Sequence, residues 1–356
     1  MYVKTSYVCT TPLQSNSPSI TVGDVGKPYF VEFIDNDTNT IIRKFYQNDF
    51  TKYFVYTGDR QWYTNWKINV YDENNTVLFS EQLNLENKVV FIKFDAYALG
   101  DNLAWIPYAR EFKHKHNCHV IISTFWNDLF EKAYPDLLFV APNTKIANVY
   151  AQYYIGTHNQ VNLSYQPSLY LDNPLQKIAS DILGLEYKEI KPEVYYEYTD
   201  EMKKFDELVG NKRYVTMSEY ASLRIKEWNV PNGWQSLVHL FNSYDYEVVV
   251  ISKEYSYLKN VINYSGDLPI QLRMYQLRKA NYHIGLSTGL SWLAHAVGTH
   301  TFLISDFTPP YHEFQDNCTR IYNEQNIRQK ISYEEVKNPV TIFDVIGKIK
   351  EKLPNI

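Results

Sequence analysis

Residues 88–124 read KVVFIKFDAYALGDNLAWIPYAREFKHKHNCHVIIST, a sequence whose pattern is typical of a strand, a helix and a second strand. The run KVVFIKFDA predicts a buried strand, LAWIPYAREFKHKHN carries apolar residues near helical spacing, and HVIISTF predicts a second strand. Strand–helix–strand alternation at this spacing is typical of a parallel sheet. It continues through WNDLFEKAYP (helix), LLFVAP and VYAQYYIG (strands), and PLQKIASDILGL, an amphipathic helix with a glycine stop.

A second α/β unit is predicted from about Arg213 onward. RYVTMSEY, EVVVIS, YHIGLS and THTFLIS read as strands, whereas GWQSLVHLFNSYD, LPIQLRMYQLRKA and GLSWLAHAVG read as helices. TIFDVIGKIKEKL, residues 341–353, predicts a terminal amphipathic helix, and IKPEVYYEYTDE, residues 190–201, predicts an exposed linker between the two units.

Residues 1–90 have the period-2 pattern of short antiparallel strands, with the turn signals DNDTN, TGDR and DENN between them. Two interpretations of their aromatic residues stay open: packing onto the next domain, or an exposed surface for acceptor docking or self-association. These residues are Tyr53, Tyr56, Trp62, Tyr63 and Trp66.

These patterns predict an α/β protein of GT-B architecture, with two Rossmann-like lobes, an N-terminal antiparallel β module and a C-terminal helix. The expected boundaries are 1–87 for the module, 88–200 for the N-terminal lobe with acceptor side and base, and 201–356 for the donor lobe with the terminal helix.

Composition limits the function. The chain has 35 Lys and Arg against 40 Asp and Glu, a net charge of −5, so nucleic acid is not expected as a partner. Its three cysteines include no C-x-x-C pair, which argues against a disulfide scaffold and a thiolate metal site. Because the sequence has no signal peptide and no membrane-spanning stretch, we expect a cytoplasmic protein.

Gly100, Asp101 and Asn102 follow a predicted strand and open a helix. Ligands of parallel α/β sheets bind beyond the carboxyl ends of the strands. Gly100 would allow a tight backbone turn there, and the Asp101 carboxylate could accept the proton of an attacking hydroxyl. The alternative for Asp101 is an ordinary helix N-cap.

The segment Ser287, Thr288, Gly289, Leu290 and Ser291 also lies between a strand and a helix. The free N–H groups and partial positive charge of a helix start favour a diphosphate, and the hydroxyls add donors. Ordinary helix capping would explain the same residues.

Two further loops supply candidates. Arg224 and Lys226 follow the first strand of the second lobe, where a cation could neutralise a leaving diphosphate; a solvated loop paired to Glu227 is the alternative. Glu313 follows the strand TFLIS and could bind ribose hydroxyls. The chain has no P-loop or dinucleotide fingerprint and no H-E-x-x-H motif. His114, His116 and His119 are interpreted as a solvated helix end.

Together these segments resemble the bacterial autotransporter heptosyltransferases, within the wider group of ADP-heptose:LPS heptosyltransferases. The similar text is ALGDNLAWIPYAREFKHKHNCHVIIST, YAQYYIG, PLQKIASDILGL, RIKEWN with NGW, GLSTGLSWLAHAVGTHTFLIS and DFTPPYHEF, from about residue 88 to about residue 325.

The resemblance implies inverting transfer of heptose from ADP-heptose, or a related nucleotide sugar, to serine or threonine of a β-helical autotransporter passenger protein. No cofactor is implied beyond the donor substrate. The matching residues are Asp101 as the base, Lys226 as a phosphate partner, and Thr288, Gly289, Leu290 and Ser291 as diphosphate binders. The family also has an added N-terminal β module, which residues 1–90 match.

The sequence departs from the family at its C-terminal cysteine cluster, which binds iron and supports a ring assembly. The corresponding region, CTRIYNEQNIRQKISYEE, keeps Cys318 alone, so we expect no metal and leave a homo-oligomer open. Other acceptors also stay open: a glycan, a lipopolysaccharide-core sugar or a modified nucleobase. A non-catalytic nucleotide-sugar-binding protein is the alternative from a different class.

Overall fold

The computed structural model describes residues 1–8, 17–156, 172–324 and 339–353. In these residues two antiparallel sheets precede two parallel sheets. The predicted α/β class with parallel sheets is therefore confirmed.

The N-terminal strands are β1 (Tyr2–Ser6), β2 (Ser19–Gly23), β3 (Tyr29–Asp35), β4 (Thr40–Gln47), β5 (Phe54–Thr57), β6 (Trp66–Asp72) and β7 (Val77–Gln82). They form two antiparallel sheets, with orders β1-β2-β5 and β4-β3-β6-β7. Strands β1 and β2 were not predicted, because YVKTS and SITVG are short and polar. Just beyond β1, a parallel bridge joins Tyr7 to Ala151 and connects these sheets to the first lobe.

The aromatic residues of this region are mostly not exposed. Tyr56 and Trp66 are buried in the core. Tyr63 is half-buried, and its backbone N–H donates to the carbonyl of Ile182 in the first lobe at 2.8 Å. Tyr53 is exposed. Packing onto the first lobe therefore holds for Tyr63, whose ring contacts Phe112. Tyr56 and Trp66 pack within the N-terminal sheets, so the exposed-surface interpretation is wrong for all three.

The first lobe contains β8 (Val89–Phe94), α1 (Leu99–His116), β9 (His119–Ser123), α2 (Asn127–Phe130), β10 (Leu138–Val140), β11 (Ala151–Ile155) and α3 (Leu175–Ile182). Its four strands are all parallel, in the order β10-β9-β8-β11. The strands are apolar along most of their length because other elements cover both faces of the sheet.

Helix α1 is the central helix of this lobe. Leu103, Trp105, Ile106 and Phe112 are all fully buried, as expected of a helix covered on most sides. The Trp105 indole N–H donates to the Leu175 carbonyl at 3.0 Å, which ties α1 to α3. The first turn of α1 is thereby held in a fixed position at the edge of the sheet.

The predicted linker, residues 190–201, is neither fully exposed nor entirely a linker. The Glu193 backbone N–H donates to the Tyr134 hydroxyl at 2.9 Å, and the Glu193 carboxylate pairs with Arg110 at 2.7 Å. Its last two residues belong to α4 (Asp200–Val209), whose N-cap is Thr199. The acidic, tyrosine-rich sequence suggested exposure because these tertiary partners are distant in the chain.

The second lobe contains β12 (Tyr214–Met217), α5 (Gly233–Ser243), β13 (Glu247–Val250), β14 (Ile262–Asn263), α6 (Ile270–Lys279), β15 (Tyr282–Leu286), α7 (Gly289–Val297), β16 (Thr301–Ile304), β17 (Cys318–Ile321) and α8 (Ile342–Lys352). Its six strands are parallel, in the order β14-β13-β12-β15-β16-β17. In chain order this is the 3-2-1-4-5-6 arrangement of a Rossmann fold. The edge strands β14 and β17 were not predicted, since they are short and partly polar.

The predicted terminal helix is α8, which begins with a capping box between Thr341 and Asp344. Val345 and Ile349 lie in the core of the second lobe. No helix in the described part of the chain is long and apolar enough to cross a membrane.

Candidate active site

The candidate site is a cleft between the two parallel sheets, at the carboxyl ends of their strands. In the first lobe the strand order reverses between β8 and β11, and in the second between β12 and β15. Loops at such reversals form the usual ligand crevice of open α/β sheets. Here the loops after β8, β12, β13, β15 and β16 line one cavity of about 320 Å³.

Two glycines bring the lobes together. A Cβ atom on Gly289 would lie 2.7 Å from the Leu99 Cβ and 3.1 Å from the Gly100 nitrogen. A Cβ on Gly100 would lie 3.0 Å from the Trp292 ring. The predicted role of Gly100 in a tight turn is wrong, since Gly100 lies inside α1 and has no positive φ. Its missing side chain instead allows the helix starts of α1 and α7 to approach each other.

Asp101 lies in the first turn of α1 and faces the cleft. Burial raises the pKa of its carboxyl to about 6, although the charge of Lys226 lowers that pKa. No hydrogen bond from the described residues reaches this carboxylate, and Ala98 is the helix N-cap instead. The N-cap alternative for Asp101 is therefore wrong. An unpartnered carboxylate with this pKa is ionised at neutral pH and can accept a proton.

The start of α7 faces Asp101's helix from the other lobe. Ser287, Thr288, Gly289 and Leu290 all line the cleft. Thr288 is the N-cap but makes no capping bond, and its hydroxyl is buried without a hydrogen-bond partner in the described residues. Ser291 is placed differently from the prediction: it does not line the cleft, and its hydroxyl donates to the Leu286 carbonyl at 2.7 Å.

The two predicted cations of the loop after β12 differ in their position relative to the cleft. Both lie in a short 3₁₀ turn, Arg224–Lys226. Lys226 lines the cleft, with its ammonium 6.0 Å from the centre of the Phe307 ring. Arg224 is exposed and does not line the cleft, so the structure does not support it as a donor ligand. Sequence adjacency could not distinguish them, because alternate residues of a tight turn point in different directions.

Glu313 borders the cleft but its carboxylate is already engaged. Ser287 and Thr308 donate to one oxygen, at 2.5 and 2.8 Å, and Arg320 forms an ion pair with the other. Burial would raise the pKa of Glu313, yet Arg320 and the hydroxyl donors leave it lowered. Glu313 therefore holds the loop after β16 to Ser287 and to β17, and the ribose contact stays a prediction.

Sequence reasoning missed Arg273, a buried cation in the wall of the cleft. It is 5% exposed, and its guanidinium donates to the carbonyls of Ser252 and Gly266. Its Nε is buried without a hydrogen-bond partner in the described residues. The sequence does contain a signal for this residue. The apolar stripe of α6 runs through Ile270 and Leu277 at helical spacing and includes Arg273, and a cation on an apolar stripe is unusual.

The neighbouring histidines do not form a metal cluster. His114 and His119 are exposed, whereas His116 is half-buried, with its ring 4.7 Å from that of Tyr63. Burial lowers the pKa of His116 to about 4. The prediction of a solvated helix end is therefore wrong for His116. In the described ranges no group of three or more His, Cys, Asp or Glu residues could hold a metal ion.

Comparisons with known proteins identify the relatives of this chain. No family model matches. The chain is 28% identical over 299 residues to the autotransporter heptosyltransferase BAHTCr of Citrobacter rodentium, across 80% of this chain and 70% of that protein. The chain is a relative of the autotransporter heptosyltransferases. It is also 32% identical over 281 residues to the inactive autotransporter heptosyltransferase BimC of Burkholderia thailandensis, across 76% and 64% of the two chains.

The fold of this chain also matches a solved heptosyltransferase structure. That structure is the dodecameric iron-containing heptosyltransferase TibC in complex with ADP-D-beta-D-heptose. The TM-score is 0.83 at 22% identity, and the match covers 99% of this chain and 96% of the other. The chain is a glycosyltransferase with a heptosyltransferase fold, as the sequence predicted.

The sequence around Cys318 does not fit a cysteine-cluster iron site of the kind that the resemblance implies. Cys318 is the single cysteine in CTRIYNEQNIRQKISYEE, and one thiol cannot supply the several soft ligands of such a cluster. Residues 325–338, which complete the region compared with the family's cysteine cluster, lie outside the described residues. The absence of a metal requirement stays a prediction.

Proposed function

We propose that this chain transfers a sugar, most specifically heptose, from a nucleotide-diphosphate donor to a hydroxyl group with inversion at the anomeric carbon. One observation carries the proposal. An unpartnered carboxylate, Asp101, faces a helix start across a cleft that also holds Lys226. A base on one side and an anion site on the other are the two requirements of the reaction.

The donor diphosphate would bind at the start of α7. Free N–H groups at a helix N-terminus attract anions, and the unpartnered hydroxyl of Thr288 supplies a further donor. Lys226 and Arg273 add two positive charges to the same cavity. With these groups carrying the diphosphate charge, the proposed reaction uses no cofactor and no metal.

In the proposed step Asp101 accepts the proton of the acceptor hydroxyl. The hydroxyl oxygen then forms a bond to the anomeric carbon from the face opposite the diphosphate, whose bond to that carbon breaks. The leaving nucleoside diphosphate takes the bonding electrons, and Lys226 and the start of α7 stabilise its growing negative charge. Attack from the opposite face inverts the anomeric configuration.

A protein serine or threonine is the proposed acceptor, and the names of the relatives support it. A homo-oligomer is likewise a proposal, supported by the dodecameric solved relative. Cytoplasmic location is supported by the free thiols of Cys118 and Cys318, which suit a reducing compartment.

Thermal unfolding with ADP-heptose, UDP-glucose and GDP-mannose tests the donor class. Ligand at about 100 times its Kd stabilises the native state by about 2.7 kcal/mol, which raises Tm by several degrees. We expect this rise with ADP-heptose and a smaller one with the other two. Equal rises, or none, would contradict the proposed donor. A second assay measures the release of ADP in the presence of an acceptor protein. An active transferase releases ADP, whereas an inactive binding protein does not; BimC, one of the relatives, is named inactive.

A further inference from the structure

An aromatic cluster with one exposed and two half-buried rings lies at the edge of the cleft, on the lobe that carries Asp101. Tyr97 is 77% exposed, yet its ring stacks on Phe125 with 3.8 Å between the centroids. The indole N–H of the next residue, Trp126, donates to the Tyr97 carbonyl at 3.0 Å, and Trp126 itself lines the cleft. These three residues, here termed the aromatic platform, lead from the cleft wall out to solvent.

The backbone beneath the aromatic platform is held by two polar side chains, one buried and one half-buried. The buried Asn102 amide donates to the carbonyls of Ala96 and Ala98, both at 2.8 Å, on either side of Tyr97. In the other loop, the side-chain oxygen of Asn127 accepts bonds from the backbone N–H and the hydroxyl of Thr124. Two loops are therefore fixed in position, and Tyr97 presents its ring to water beside two half-buried rings. A contiguous group of aromatic rings at the edge of a cleft is typical of a binding surface.

The position of the aromatic platform assigns it to the acceptor rather than the donor. Tyr97 lies on the loop that leads directly into α1, four residues before Asp101. The donor-side groups Lys226, Arg273 and Thr288 belong to the opposite lobe. A molecule that rests on the platform therefore approaches the cleft from the side of the proposed base.

The charges beside the aromatic platform favour a polypeptide. Segments 95–98 and 124–128 contain no Lys or Arg, and the neighbouring Lys93 is paired with Asp95 at 3.8 Å. These segments therefore offer no cation that could hold the phosphate of a glycolipid core. The three rings supply a large contact area with polar tips on Tyr97 and Trp126, which suits the polypeptide acceptor proposed above.

We propose that the aromatic platform of Tyr97, Phe125 and Trp126 binds an extended polypeptide segment of the acceptor and brings its hydroxyl to Asp101. This inference rests on the proposed function and specifies its acceptor surface.

The test compares Tyr97→Ala with Tyr46→Ala in the full chain. Tyr46 is a matched control, since it is 72% exposed and its ring also contacts a phenylalanine, Phe30, at 5.5 Å, but it lies on β4 of the N-terminal module. The acceptor is an unglycosylated autotransporter passenger fragment, and a dephosphorylated lipopolysaccharide-core oligosaccharide is assayed in parallel. Intact mass measures transfer, and thermal shift with ADP-heptose measures donor binding.

Tyr97→Ala should raise the KM for the passenger fragment about tenfold, because a lost aromatic anchor in an interface costs about that factor. The Tm rise with ADP-heptose should stay at the wild-type value, and Tyr46→Ala should leave both readouts unchanged. An unchanged KM for the passenger fragment in Tyr97→Ala, or an equal rise of that KM in both variants, would contradict the proposed role of the aromatic platform. Modification of the oligosaccharide but not the passenger by wild-type protein overturns the polypeptide assignment. Failure of the proposed function itself would appear differently, as loss of the ADP-heptose shift in wild-type protein.

Discussion

The starts of α1 and α7 are built alike and meet across the cleft, yet they differ in chemistry. Each follows a parallel strand next to the point where its sheet reverses order, and each has a glycine in its first turn. The start of α1 carries the carboxylate of Asp101, whereas that of α7 has no acidic residue and carries the unpartnered hydroxyl of Thr288. The shared backbone geometry brings the two ends together, and the side chains divide the proposed work.

The difference also shows which electrostatic effect dominates at Asp101. A helix start normally stabilises a carboxylate and so lowers its pKa. Burial in the cleft works in the opposite direction and prevails, since the pKa of Asp101 is raised to about 6 despite the nearby Lys226. The same burial strengthens the attraction of the α7 start for a diphosphate.

Among the variants that keep Asp101, the largest effect should come from filling the contact between the two helix starts. Gly289→Ala would place a methyl group 2.7 Å from the Leu99 Cβ, so the lobes must move apart. We expect transfer to fall about 100-fold, because misplacement by about 1 Å costs that much. Gly100→Ala is the matched comparison: its methyl meets the Trp292 ring at 3.0 Å, and we expect a smaller loss. Initial rates of both variants check this, and equal losses would contradict the close-contact account.

A smaller effect is expected from removing the cation between the two helix starts. Lys226→Ala should weaken donor binding and slow transfer, each by about tenfold, since a charge paired to the diphosphate acts in the ground state and more strongly in the transition state. It should also raise the pKa of Asp101, because Lys226 lowers it. The acidic limb of kcat/KM for the donor should then move to higher pH.

Arg224→Ala is the control for this prediction, since Arg224 shares the 3₁₀ turn but is exposed outside the cleft. Calorimetry and a pH–rate profile on both variants give the answer. Donor affinity unchanged in Lys226→Ala, or lost equally in Arg224→Ala, would remove Lys226 from the donor site.

The sequence alone predicted the strands and helices that form the two helix starts, but not that these starts face each other. Hydrophobic period and glycine position predicted β8, α1, β15 and α7, because those signals are local. Side-chain direction was not predictable in the same way, because it depends on neighbours far along the chain. Ser291 faces the strand rather than the cleft, and Lys226 rather than Arg224 lines the cleft.

The same reason explains Glu313 and Arg273. Sequence could show that Glu313 follows a strand, but not that Arg320 on the unpredicted strand β17 would pair with it. Arg273 was concealed within a helix that otherwise looked structural. Buried polar partners decide these roles, and their pairing is a tertiary property.

The smallest effect on transfer should come from Glu313→Gln. Breaking a buried ion pair costs about 3–5 kcal/mol, because Arg320 is left without a counter-charge. We therefore expect a lower Tm, with donor affinity at low temperature within about threefold of wild type. Ser287→Ala removes one bond to the same carboxylate and should lower Tm less. A large loss of donor affinity in Glu313→Gln without a change in Tm would support the predicted ribose contact instead.

In the proposed reaction the start of α1 supplies the base and the start of α7 binds the donor. This division is tested by the pH dependence of kcat/KM for the donor in wild type and Asp101→Asn, with donor Kd measured in parallel. Because Asp101 accepts a proton only when ionised, wild-type activity should fall about tenfold per pH unit below its pKa of about 6. Asp101→Asn should lose about 10²–10⁴-fold in rate, show no such limb and bind donor as wild type does. A rate within about threefold of wild type, or the same acidic limb in the variant, would contradict this division.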